Sequence, residues 1–182
     1  MLELALLGAV IGSPLALAKY NELVKLRNKA VASFGDVDAA LTRRFDLVPS
    51  LVATVRGYAQ HEHDTLESVI KMRRQVADTS GIEDRIKAEN ALTATLSRLF
   101  ALQEKYPDLQ ASANFLSLQE TLTKIEDDLQ KARQRYNKVA CVYNNACETF
   151  PALIVAKSMG FKKMPYFGAS DKARQGFFHS GN

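Results

Sequence analysis

Between residues 20 and 150, apolar side chains return every three or four positions with few interruptions, which is the repeat of amphipathic helices. Tyr20, Leu23, Val24, Val31, Phe34, Val37, Leu41 and Phe45 mark a first helix. Asp46 is a capping residue type, and Pro49 sits where a first helical turn tolerates proline. A second helix therefore begins there and carries Leu47, Leu51, Val55, Tyr58, Leu66, Val69, Met72 and Val76. Asp78-Thr79-Ser80-Gly81 reads as a break. The third helix carries Ile82, Ile86, Leu92, Leu96, Leu99, Leu102 and Tyr106 and stops at Pro107. In the fourth, Leu118, Leu122, Ile125, Leu129, Ala132, Tyr136, Val139, Tyr143, Ala146 and Phe150 alternate steps of four and three, a coiled-coil seam that Pro151 ends. No stretch of useful length alternates with the period of two that a strand needs. Short breaks between long helices imply antiparallel neighbours.

The first 18 residues differ. They read MLELALLGAVIGSPLALA, with Glu3 as the one charge. A run of this length is at the lower limit for spanning a bilayer. It has three readings: a membrane anchor, a cleaved signal ending at Ala16-Leu17-Ala18, or a buried terminal helix. No basic residue precedes Lys19, as a signal peptide would require. Lys19, Lys25, Arg27 and Lys29 follow the run, which favours an anchor with the body on the cytoplasmic side. Gly8 and Gly12 form a G-x-x-x-G, a weak signal in so short a segment.

Charge changes the picture at the other end. The 182-residue chain has a formal charge of +4, but residues 1–150 are neutral and the surplus lies in residues 151–182. That tail mixes Phe161, Lys162, Lys163, Tyr166 and Phe167, a composition suited to a membrane surface or a partner protein rather than to nucleic acid.

Little else points to chemistry. His61-Glu62-His63-Asp64 lacks the four-residue histidine spacing of a zincin, because position 65 is Thr. His63 and Glu67 share a helix face, but two ligands make a poor metal site, and a solvated face is the simpler reading. Cys141 and Cys147 stand about 120° apart on one helix, so they do not bridge and read as small core or boundary residues. Arg43-Arg44-Phe45-Asp46 falls at the expected first junction. There the arginines serve the helix dipole or, as an exposed hairpin tip, a docking surface. Asp38 lies close to the apolar stripe and needs an Arg or amide partner. Tyrosines on the seams read as core. No glycine-rich phosphate loop or nucleophile elbow is present.

Taken in order, several segments resemble the LemA family. They are Tyr20-Asn21-Glu22-Leu23-Val24-Lys25-Leu26-Arg27-Asn28, Arg43-Arg44-Phe45-Asp46-Leu47-Val48-Pro49-Ser50-Leu51, Gly57-Tyr58-Ala59 and His61-Glu62. Tyr106-Pro107-Asp108-Leu109, Asn114-Phe115-Leu116, Leu118-Gln119, Ala132-Arg133, Tyr136-Asn137, Tyr143-Asn144, Phe150-Pro151 and Gly160-Phe161 continue it. The resemblance spans about residues 20–167. It implies one N-terminal membrane helix and an antiparallel helical bundle, with no agreed catalytic residues to carry over. Some members of the family are tied to magnetosome membranes, and some are encoded near a membrane metalloprotease.

The expected architecture is all-α. It has an anchor at 1–18, an antiparallel four-helix bundle at 19–150 and a basic, aromatic, mostly irregular tail at 151–182. The expected function is that of a single-pass cell-membrane scaffold or interaction module, without catalysis, metal or cofactor. Its partners are the lipid bilayer, other membrane or membrane-associated proteins and a second copy of the chain, not nucleic acid. Arg43, Arg44, Phe161, Lys162, Lys163, Tyr166 and Phe167 are the expected partner contacts. Two alternatives stand beside it: an accessory subunit of a membrane zinc metalloprotease, and a metal-dependent enzyme using His61, His63 and Glu67.

Overall fold

The computed structural model describes residues 2–77, 79 and 81–168, with side chains placed for 14–75, 79 and 81–168. Lys172, Arg174 and the rest of the tail beyond Gly168 lie outside the described residues, as do the side chains of the first thirteen positions. Every regular element described is helical. The elements are α1 (Leu2–Tyr58), α2 (His63–Ala77), α3 (Ile82–Ala101) with a 3₁₀ turn (Leu102–Glu104), α4 (Pro107–Gln110), α5 (Ala113–Glu148) and α6 (Ala152–Ser158). Two compact units result, one from residues up to Gly35 with those from Arg133 onward, the other from Asp36–Ala132.

The first correction concerns α1. No break occurs at Asp46-Pro49; one helix of 57 residues runs through both expected segments. The buried stripe explains why. Val37, Leu41, Phe45, Val48, Leu51, Val52, Val55 and Ala59 continue without a change of phase, so a turn at Asp46 would throw half of them into water. Proline inside a helix has no N–H to donate and leaves the carbonyl four residues back without its partner. Here that carbonyl belongs to Phe45, and Arg73 Nε of α2 donates to it at 3.1 Å. A side chain from a neighbouring helix thus restores the bond that Pro49 removes.

The true turn comes at Ala59–Glu62. Glu62 Oε1 accepts Lys105 Nζ at 2.6 Å and Tyr106 Oη at 3.0 Å, which ties the turn to the end of the α3 region. Those hydrogen bonds, Lys105 first and Tyr106 second, hold the Glu62 carboxyl below its ordinary value. The breaks expected at 78–81, at Pro107 and at Pro151 all separate helices.

Within Asp36–Ala132, charged pairs fix the neighbours of α1. Asp38 takes Arg85 of α3 at 2.7 Å, the partner its position required. Arg44 is 3% exposed; its Nη1 donates to Glu89 Oε1 at 2.9 Å and to Thr93 Oγ1 at 2.8 Å, and its Nε lies 2.7 Å from Glu126 Oε1 of α5. The 38–85 and 44–89 pairs advance together, so α1 and α3 run parallel, whereas 45–73 sets α2 antiparallel to α1.

On α5 the buried positions are Phe115, Leu122, Ile125, Leu129, Ala132, Tyr136, Ala140, Tyr143 and Cys147. Tyr136 and Tyr143 keep their expected places on the seam, but Ala140 and Cys147 are buried instead of Val139 and Ala146. Phe150 lies beyond the end of α5 and is 74% exposed. Cys147 is buried and Cys141 exposed, and both are free thiols.

Among the described residues no single helix is long and apolar enough to cross a membrane; α5 and α6 together, bent by 91°, pass on length and composition.

Replacing Arg73 with Met should destabilise the fold by about 1–2 kcal/mol, the effect of orphaning a buried acceptor. In a Pro49→Ala background the new N–H serves the Phe45 carbonyl, and the same replacement should lose most of its effect. Urea denaturation of the four proteins of this cycle measures the difference.

Candidate functional site

The tail is where sequence-expected residues and structure meet most closely. After Pro151 the chain forms α6 and reverses at Gly160, whose φ of 71° is the left-handed conformation that ends helices. Phe161 N–H donates back to Ala156 O at 2.9 Å across this turn. Residues 161–166 then have no regular structure of their own, yet α5 holds them by main-chain contacts.

Four α5 side chains make this clasp. Tyr143 Oη donates to Lys162 O at 2.9 Å, and Tyr136 Oη donates to Pro165 O at 2.9 Å. Asn144 Nδ2 donates to Met164 O at 2.9 Å while its Oδ1 accepts Met164 N–H at 2.8 Å. Asn137 treats Phe167 identically, at 3.0 Å for each bond. The two Tyr-Asn pairs are seven residues apart on one helix face. Seven residues of helix rise about 10.5 Å, and three residues of extended chain cover about 10 Å. Met164 and Phe167, three apart, therefore match Asn144 and Asn137 in register, running antiparallel to α5.

Aromatic packing closes the ends of the clasp. Phe167 is 7% exposed; its ring stacks on Phe34 at 6.2 Å, meets Tyr136 edge-on at 5.6 Å and lies under Arg133 Cζ at 5.4 Å. Phe161 meets Tyr20 edge-on at 5.7 Å. Between them Leu23, Tyr143, Cys147, Ala152, Val155 and Ala156 form a core against which Phe161 and Met164 pack. Burial pushes the hydroxyls of Tyr136 and Tyr143 up to about 12.

These observations redistribute the expected contacts. Arg44 is a correction: it lies inside a charge cluster, not at an exposed tip, because α1 does not turn there. Arg43 is exposed and 3.3 Å from Asp128. Phe167 is likewise a correction, since its ring is spent inside its own unit. The tail through Gly168 is not loose. Lys163 pairs with Glu148, Lys162 is exposed, and Phe161 and Tyr166 are half-buried. Asn137 and Asn144 were not expected as functional groups; the signal available was a Tyr-Asn dipeptide repeated at seven residues. His61, His63 and Glu67 sit at the α1–α2 turn and the start of α2, all outward, and among the described residues no three metal-ligating side chains come together.

The LemA family model matches residues 33–177, four-fifths of the chain. This chain belongs to the LemA family. It is 25% identical to magnetosome protein MamQ of Magnetospirillum gryphiswaldense over 193 aligned residues, covering 92% of this chain and 71% of that protein. Protein LemA of Metamycoplasma hominis is 26% identical over 159, covering 85% and 71%. Magnetosome protein MamQ 2 of Paramagnetospirillum magneticum is 23% identical over 193, covering 92% and 71%. The segments that carry the LemA resemblance acquire physical roles here. His61-Glu62 and Tyr106-Pro107 are two sides of one turn contact, Arg44 is the centre of a charge cluster, and Tyr136-Asn137 and Tyr143-Asn144 are the clasp.

Asn137→Ala/Asn144→Ala should free the tail, so that trypsin cuts after Lys162 and Lys163 at least tenfold faster than in the parent, as read by mass spectrometry of timed digests. Alkali should free the tail without mutation. Because the folded state holds the tyrosine protons more tightly than the unfolded chain, the clasp's contribution is complete below pH 10 and is lost as pH rises toward 12. Tyrosinate absorbance should therefore rise in that window together with the loss of the near-ultraviolet circular dichroism of the packed tyrosines.

Proposed function

We propose that the protein is a non-catalytic, membrane-associated interaction module, held at the cell membrane by its apolar N-terminal run with the helical body on the cytoplasmic side. One observation carries this reading. The unit that contains the N-terminus presents Leu15 (49% exposed), Leu17 (63%), Phe150 (74%), Ile154 (61%) and Met159 (65%) to the outside. Large apolar side chains exposed in this number on one unit are a feature of interaction and membrane-facing surfaces. Lys19, Lys157, Lys162 and Lys163 accompany them, the combination that suits an anionic lipid surface. These groups belong to α1, the α5–α6 corner and the clasped tail, whose packing around Leu23 and Tyr143 keeps them on one structured body. Tail anchoring then has a purpose: it fixes the tail's apolar and basic groups against α1 around Tyr20, Leu23 and Phe34.

The non-catalytic part of the reading rests on how the titratable groups are used. Glu62, Asp38, Arg44, Glu89 and Glu126 are bound to one another or to backbone and hydroxyl partners. Partners in this reading are other membrane proteins or a second copy, with Lys162 and Tyr166 of this unit and, separately, the exposed Arg43 of the Asp36–Ala132 unit as members of the expected set.

Phe150→Glu/Ile154→Glu/Met159→Glu tests it. Flotation of the Lys19-start chain with vesicles rich in phosphatidylglycerol should fall at least tenfold, while the melting temperature stays within about 3 °C of the parent. Equal flotation of parent and variant would overturn the reading. Carbonate washing of the full chain against the Lys19-start chain reads the N-terminal run separately: the full chain alone should resist extraction.

A further inference from the structure

Beside Pro49, α1 and α2 flank an open groove of about 310 Å³, in which Pro49, Ala53, Arg56 and Arg74 are exposed and Arg73 is half-buried. Pro49, Val52, Ala53 and Ile70 supply its apolar wall, and Arg56, Arg73 and Arg74 supply three guanidinium groups. Arginine does not deprotonate in proteins, so the groove carries three positive charges. Elsewhere in this unit buried or half-buried arginines meet carboxylates: Arg44 has Glu89 and Glu126, and Arg85 has Asp38. Among the described residues none of the three groove arginines is within 4.0 Å of a carboxylate oxygen. Arg73 is also fixed in place, because its Nε is committed to the Phe45 carbonyl. Its terminal nitrogens have no partner among the described residues.

The two halves of this lining ask for different things. Three guanidinium groups along one groove attract an anion, although water partly screens the exposed Arg56 and Arg74. A phosphate monoester brings about −1.5 to −2 charge and oxygens that match the guanidinium fork. The apolar wall favours removing hydrocarbon from water, about 0.8 kcal/mol per buried methylene. A volume near 310 Å³ is at the small end of the roughly 300–1,000 Å³ of ligand sites, which suits a head group with a short chain.

We propose that this groove binds a phosphate monoester carried on an apolar chain, with the phosphate at Arg56, Arg73 and Arg74 and the chain against Pro49, Val52, Ala53 and Ile70. The same head group is offered by a free alkyl or acyl phosphate and by a phosphatidic-acid lipid. This inference goes beyond the membrane-facing surface described above and uses none of its residues.

The experiment titrates full-length protein with octyl phosphate by calorimetry at fixed salt, with inorganic phosphate and octanol as the half-ligands. Octyl phosphate should bind at least tenfold more tightly than either. Arg56→Gln/Arg74→Gln should weaken it at least tenfold with an unchanged melting temperature; Arg73 is left intact because it also supports α1. Ala53→Trp, which fills the apolar part, should weaken octyl phosphate and leave inorganic phosphate unaffected. Octanol binding as tightly as octyl phosphate, no measurable octyl phosphate binding, or indifference to the arginine pair would overturn the proposal. Two supporting outcomes separate the sources. Flotation with phosphatidic-acid vesicles that the arginine pair abolishes assigns the head group to a lipid. Octyl phosphate binding without such flotation assigns it to a free amphiphile. The Phe150/Ile154/Met159 variant should bind octyl phosphate like the parent, so this site and the membrane-facing surface fail independently.

Discussion

Pro49 removes the one N–H that the Phe45 carbonyl accepts in an α-helix, and the Asp36–Ala132 unit is arranged around that missing bond. A helix interior loses about 3 kcal/mol or more to a proline when nothing compensates. Arg73 supplies the compensating donor from α2 at 3.1 Å. Because the repair comes from outside α1, docking of α2 supplies the donor that α1 lacks at Pro49. The continuity of α1 in turn sets Asp38 against Arg85 and Arg44 against Glu89 and Glu126. A kink at position 46 would change the rotation of every residue beyond it and uncouple Val48, Leu51 and Val55 from the same buried stripe.

The charge cluster adds specificity more than stability. Burying Arg44 with Glu89 takes two ions out of water while Glu126 stays partly exposed, and the gain from pairing them roughly offsets the desolvation. Removing one partner is another matter, since it leaves an uncompensated charge in the interior, at about 3–5 kcal/mol. Such a cluster penalises alternative rotations of α1 against α3 and α5, because most would leave a buried ion unmatched. Asn137 and Asn144 apply the same logic to backbone. Each satisfies both the N–H and the C=O of one tail residue, so a segment without secondary structure is buried without orphaned polar groups. In both units, polar side chains decide which apolar surfaces meet.

Helix content, the breaks at 78–81, Pro107 and Pro151, and the need of Asp38 for a partner were all legible in residue order. Asp46 and Pro49 misled because the local pattern is that of a helix start: a capping side chain followed by proline in the first turn. The compensating donor, Arg73, is 28 residues away in sequence from Phe45, and no local rule contains it. Arg44 misled for the same reason, since a basic residue at an assumed helix end looks like a surface group. Phe161 and Phe167 were marked for their aromatic character, and that character serves packing: Phe161 on Tyr20, Phe167 on Phe34 and Tyr136.

What residue order determined by itself was the all-helical class, the breaks at 78–81, Pro107 and Pro151, the family and the uneven distribution of charge, because periodicity, breaker residues and composition act locally or by simple addition. Tertiary structure alone decided whether Pro49 ends a helix, which arginines are buried, which face no carboxylate among the described residues, and how the tail is held. Each depends on a donor, acceptor or counter-charge brought from a distant segment, and only folding chooses which distant segment that is. Arg44 and Arg74 are both arginines on amphipathic helices. One meets Glu89 and Glu126 and is buried; the other borders a groove beside Arg56 and Arg73, where the charge faces no carboxylate among the described residues.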